Sequence, residues 1–167
     1  MNLRYLLSLI TFPGVIAHEF AHKTFCELTG VRVNKVVYFQ FKDPAGYVSY
    51  EEPCKYHQTF LVAVGPIVIN SLLAILLSFL AAHHSGEPRV YWTLLWLAFS
   101  IGCHAFPSNH DMGNISESSK AALKRGNILH LLVFPLIGLV WLANKLRYFL
   151  FDAVYALVLM GLGGGWI

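Results

Sequence analysis

The chain of 167 residues is 56% apolar and only 13% charged, with a mean hydropathy of +0.56, which lies outside the range of ordinary soluble domains. A formal net charge of +3, spread over the polar segments, predicts neither nucleic-acid binding nor an acidic partner. Cys26, Cys54 and Cys103 are an odd count without metal-type pairing, so they read as packing residues or free thiols and not as a disulfide framework.

This composition predicts an integral membrane protein whose surroundings are a lipid bilayer. At about 20 apolar residues per crossing, the length fits one domain, 1–167, of four to five spans. The expected fold is an all-α polytopic membrane protein with four to five transmembrane helices and a small membrane-associated β-hairpin between the first and second spans.

The first apolar segment covers about 3–25 and is interrupted by Pro13-Gly14. Arg4 before an apolar run imitates a secretion signal, but removing it would also remove the sequence His18-Glu19-Phe20-Ala21-His22. The segment therefore reads as a retained span, with Pro13-Gly14 as a kink or close-packing point. H-E-x-x-H on a helix places its two histidines one turn apart on one face, where both can reach a single cation, and Glu19 then stands beside the metal as a base. The five residues alone serve equally well as the polar stripe of an amphipathic helix.

From Val31 to Tyr50 the chain turns β-branched and aromatic around a K-D-P-A-G turn, which predicts a β-hairpin over 31–50. A second span is expected over about 59–82 and a third over about 90–106, where Tyr91, Trp92 and Trp96 suit an interfacial belt. The polar, turn-rich stretch 107–114 follows. Ile115 to Arg125 reads as a short amphipathic surface helix. A fourth span is expected over about 128–143, broken by Pro135 and Gly138, and a last short segment over about 148–162.

Topology supplies the third ligand. Two crossings separate the H-E-x-x-H end of the first span from the stretch after the third, so Asp111 returns to the side of His18 and His22. Catalytic zinc commonly has three protein ligands, and two histidines with one carboxylate are an established set. An acid so near the hydrocarbon is costly unless paired or bound to metal; the alternative is a solvated loop Asp capping the helix that follows. His104, about two turns before Asp111, is placed for a supporting or substrate role, or for plain packing. His57, His83, His84 and His130 read as interfacial or structural.

Four motifs in one order resemble the site-2 protease family of intramembrane zinc metalloproteases: H-E-F-A-H at 18–22, A-G-Y-V at 45–48, G-P-I-V-I-N at 65–70 and H-D-M-G at 110–113. They look like that family's zinc motif, its hairpin, its G-P-x-x-N element and its L-D-G element. The chain departs from the pattern in two places. One extra residue separates Pro66 from Asn70, and His110 and Met112 flank Asp111 where the family has Leu and Gly, so His110 competes with Asp111 as ligand. No span leads into the zinc helix and no PDZ-like insertion is evident, so the chain resembles a minimal core.

The resemblance implies a zinc metalloendopeptidase holding Zn2+ through His18, His22 and Asp111, with water on the zinc deprotonated by Glu19 for attack on a peptide bond in or near a transmembrane segment. The partner is then a transmembrane protein substrate. An edge strand near Val36 to Phe41, including Val37 and Phe39, is suited to hold an unwound substrate by strand addition, or else to plug the site. Asn70 is suited to a substrate or transition-state contact, or else to a bond between helices. Lys23, Arg32, Lys35, Lys42, Lys55, Lys120, Lys124 and Arg125 lie on the zinc side, against Arg4, Arg89, Lys145 and Arg147 opposite, which turns the site toward the cytoplasm. Two other classes are an inactive zinc- or client-binding protein of the same fold and a metal transporter. Glu19 argues against the first, and the clustering of candidates at one depth argues against the second.

Overall fold

A computed structural model describes residues 3–53, 55–146 and 151–166. Cys54, Arg147 and the start of the expected last span at Tyr148 lie outside these residues, as does the side chain of Arg4. Helix α1 (Leu3–Ile10) is followed by α2 (Phe12–Thr29), strands β1 (Val33–Val37) and β2 (Tyr47–Tyr50), α3 (Tyr56–His83), α4 (Pro88–Gly102) and α5 (Asn109–Lys124). A 3-10 turn over Ile128–Leu132 then leads into α6 (Val133–Leu146), and α7 (Phe151–Gly164) closes the described chain.

The expected first span is two helices. The break falls at Thr11, because Pro13 has no N–H to extend the ladder of α1 but suits the first turn of a new helix. H-E-x-x-H consequently sits in the middle of α2, not at the end of an apolar run. Gly30, in the left-handed region at φ +74°, closes α2 by donating to the carbonyls of Cys26 and Glu27.

Two further boundaries differ from expectation. Helix α4 stops at Gly102, short of Phe106, and α5 starts at Asn109, six residues before Ile115. Ser108 causes the early start: its hydroxyl accepts from the Asp111 N–H while the Asp111 carboxylate accepts from the Ser108 N–H, a reciprocal cap that fixes the first turn. Asp111 therefore lies inside a helix and not in a loop. Pro135 sits in the first turn of α6 and breaks nothing.

Among the described helices only α3, with 28 residues, is long and apolar enough to cross a membrane by itself. Its neighbours are shorter; α4, with 15 residues, covers about 22 Å at 1.5 Å per residue. The α3 helix is the axis against which α2, α4, α5 and α7 pack. Small residues bring these helices together. A β-carbon at Gly14 would overlap the Ser100 carbonyl, one at Gly65 the Phe25 ring, and one at Gly163 the Ile75 carbonyl, so glycine lets the backbones approach more closely than any larger residue would. Apolar clusters fill the remaining space: Ala63, Met112, Ile115 and Val140 join α3, α5 and α6, and Ala81, Leu95, Ala98 and Met160 join α3, α4 and α7.

The hairpin forms where expected. Its antiparallel register pairs Val33 with Tyr50, Lys35 with Ser49, Val36 with Val48 and Val37 with Tyr47, with an irregularity at Asn34. The strand ends at Val37. Phe39 and Phe41 lie beyond it, and the Phe39 ring packs at a tilt against Phe12 of α2, 5.6 Å between centroids, so the loop is pinned to the helix that carries the histidines.

Candidate metal centre

The middle of α2 presents His18 and His22 toward the first turn of α5. The Nε2 atoms of the two histidines are 3.1 Å apart, and His22 Nε2 is 3.6 Å from an Asp111 carboxylate oxygen. One ligand atom from each of the three residues lies within 4.8 Å of the others, and no other such group occurs among the described residues. His22 and Asp111 are buried and His18 is half-buried.

The hydrogen bonds of the rings fix what those atoms are. His18 Nδ1 is 2.7 Å from the His104 carbonyl, and His22 Nδ1 is 2.9 Å from the Val62 carbonyl. A carbonyl only accepts, so each Nδ1 carries a proton, and in the neutral form of either ring the Nε2 lone pair faces inward. Two lone pairs facing each other at 3.1 Å repel unless a cation lies between them. For zinc–nitrogen bonds of about 2.0–2.1 Å the edge of a tetrahedron is about 3.3 Å, so the donor set suits zinc in spacing and in chemistry. Both carbonyls are the outer partners that orient ligand histidines.

Asp111 is held as firmly. Its Oδ2 accepts from the Ser108 N–H at 2.8 Å and the Ser108 hydroxyl at 2.6 Å. His110, one residue earlier, is exposed and points to Asn114. The structure thus gathers Asp111, and not His110, with the histidines.

Glu19 is buried, 8% exposed, beside His18 on the wall of a cavity of about 250 Å³. That cavity is lined also by Leu7, Thr11 and Val15, by Phe99 and His104, and by Asp152 at the start of α7. The loop that joins β1 to β2 lies directly behind Glu19: a β-carbon on Gly46 would stand 2.9 Å from Glu19 Cγ, Val15 Cγ1 and the Tyr38 carbonyl. The A-G-Y-V segment therefore supports the glutamate by backbone contact, which only glycine permits there.

The remaining expected residues separate. His104 reaches the cavity, with its Nε2 2.8 Å from the Thr11 hydroxyl. Asn70 is fully buried away from the cavity, and its Nδ2 donates to the His104 carbonyl at 2.9 Å and the Ile101 carbonyl at 3.4 Å, so its visible role is a bond between helices at the carbonyl that also serves His18. Val37 and Phe39 do not line the cavity. His83 and His84 bond to carbonyls of their own helix end, and His130 packs edge-on to Tyr56.

Sequence reading passed over Ser108, although Ser108-Asn109-His110-Asp111 carries the capping-box spacing. It also passed over Tyr50, whose phenol is pushed up to about 12 by burial and, next, by the Asp111 carboxylate. No residue-type signal marks the carbonyls of Val62 and His104.

A helix with H-E-x-x-H, joined at its histidines by a carboxylate from a second helix, is the arrangement of the zincin class of zinc peptidases. The chain belongs to the DUF3267 family, described as "Putative zincin peptidase", whose model matches residues 11–107, more than half of the sequence. Its cofactor is Zn2+. Comparisons with curated proteins and with solved structures gave no match.

Proposed function

We propose that this protein is an intramembrane zinc metalloendopeptidase of site-2 protease type, a single multi-pass domain that cuts membrane-protein substrates in or near their transmembrane segments. The observation that carries this reading is the His18–His22–Asp111 group, with Glu19 beside it on the wall of a cavity that polar and apolar side chains line together. A zinc site that only stabilised the fold would need no such base and no open space beside it.

Depth supports the intramembrane part. Val62, the partner of His22, is six residues from the start of α3, about 9 Å along an axis of about 42 Å. The outward faces of α3, α4, α6 and α7 carry Leu72, Trp92, Leu139, Leu157 and Leu162, all more than half exposed. Apolar surface this extensive marks contact with lipid or partner. The excess of basic residues on the side of the site turns it toward the cytoplasm.

His18, His22 and Asp111 hold the metal, which when bound acts as a Lewis acid on the scissile carbonyl and lowers the pKa of water. Glu19 takes the proton of the attacking water and passes it to the leaving amine, and the peptide carbon–nitrogen bond breaks. Leu7, Val15 and Phe99 form the apolar part of the wall beside Glu19. The carbonyls of His104 and Val62 hold both rings in one tautomer through the cycle.

Glu19→Gln is the test. Its membranes should accumulate uncut substrates relative to wild type, while the purified variant keeps one zinc per chain. Undiminished cleavage by the Gln variant would remove Glu19 from the mechanism.

A further inference from the structure

The Val62 carbonyl that orients His22 lies inside α3, where carbonyls are normally taken. In a continuous helix it would accept from the N–H of the residue four positions later. That residue is Pro66, within α3 and fully buried. Proline has no N–H to give, and its ring presses on the carbonyl four residues before it. Both effects act on the Val62 oxygen: it loses its helical donor and is pushed off the ladder. On the side facing α2, His22 Nδ1 takes the place of that donor at 2.9 Å.

The preceding residue serves the same meeting. Gly65 has no β-carbon, and one there would overlap the Phe25 ring of α2, so the glycine lets α2 approach as closely as the His22 bond requires. A Gly-Pro pair at 65–66 thus does two things one helical turn from the carbonyl it frees.

We infer that Pro66 is a positioning residue for zinc, which by withholding a backbone donor reserves the Val62 carbonyl for His22 and sets that ring in the tautomer that ligates. This rests on the ligand set proposed above. The other ligand histidine uses a carbonyl of the same kind, since His104 lies just past the end of α4. The sites differ in how the acceptor became available: a helix end in one case, a proline in the other.

The inference separates zinc binding from fold stability. Pro66→Ala restores an N–H that competes for the Val62 oxygen, so the helix gains a bond while the ligand loses part of its support. Zinc affinity, measured by chelator competition on the full chain, should fall about tenfold or more, in the range found when outer partners of ligands are removed. The 15N resonances of the His22 ring in the metal-free protein should move away from a pure Nδ1–H pattern, while the melting temperature stays level or rises. Ile67→Ala, which trims the neighbouring side chain and leaves the backbone donors as they are, should change affinity less than threefold.

Equal losses of affinity in the Pro66 and Ile67 variants would overturn the inference, as would a Pro66→Ala protein with wild-type affinity and an unchanged His22 spectrum. A melting temperature lowered in step with affinity would also overturn it, by making Pro66 a packing residue. His18→Ala and Asp111→Ala, run beside these, test the ligand set itself: unaltered zinc binding in both would remove that set and the inference with it, whereas loss of zinc in both with a silent Pro66→Ala removes only the inference.

Discussion

Glu19 depends on a neighbour that contributes no side chain. Gly46 brings the backbone of the hairpin against the glutamate, and a methyl group there would stand 2.9 Å from Glu19 Cγ. Gly46→Ala should therefore leave zinc stoichiometry intact and lower kcat by about tenfold or more, since a displacement near 1 Å can cost about a hundredfold. Turnover and metal content of the same preparation check this. At this scale the site was half legible. His18, Glu19 and His22 announce themselves because a helix turns a fixed spacing into a shared face, and Asp111 followed from counting crossings. The Val62 and His104 carbonyls did not, because every residue has a carbonyl and only the fold decides which are idle. The asparagine of the G-P-I-V-I-N segment suits a substrate contact or a bond between helices, and it donates to two carbonyls at the end of α4; the proline four residues before it is the member of that motif tied to a ligand.

Between elements, glycines set the spacing. Gly14 faces the Ser100 carbonyl and the His104 ring, so Gly14→Ala must push α2 from α4, at a cost of about 1–3 kcal/mol for overpacking. Gly138 in α6 has open space where a β-carbon would go, and Gly138→Ala should be neutral or stabilising by up to about 1 kcal/mol from its higher helix propensity. Thermal unfolding in one detergent should thus order the proteins with the Gly14 variant lowest and the Gly138 variant at or above wild type. The long α3 and the hairpin were readable from sequence, since apolar runs and β-branched alternation are local signals. Where α1 ends and α5 begins was not. Pro13 acts on a carbonyl four residues back, and Ser108 acts through a bond with a side chain three residues on, so each boundary is set by one pair that the average character of the segment hides.

The whole molecule turns much of its apolar surface outward, on α3, α4, α6 and α7. If that surface meets lipid, the protein should remain with membranes through an alkaline wash and come away only in detergent; recovery in the aqueous supernatant would refute the multi-pass reading. Composition carried this expectation at once, but the number of crossings did not follow from it. Among the described helices only α3 reaches full span length, and α4, α6 and α7, at 14 or 15 residues, are each shorter than the roughly 20 residues a straight crossing needs. The family match, which ends at residue 107, covers the H-E-x-x-H helix, the hairpin, α3 and α4, whereas Asp111 enters from α5, which begins at Asn109.

Asp111 is tied to Ser108, and both histidine rings are tied to carbonyls. Many small zinc proteins assemble their ligands only as the ion binds, so that chelation unfolds them. Here each ligand also has a partner within the protein itself, a serine or a backbone carbonyl. Emptying and refilling the site is then an exchange at a prepared socket, confined to a few side chains, and a protein stripped of zinc should take the metal back without passing through an unfolded chain.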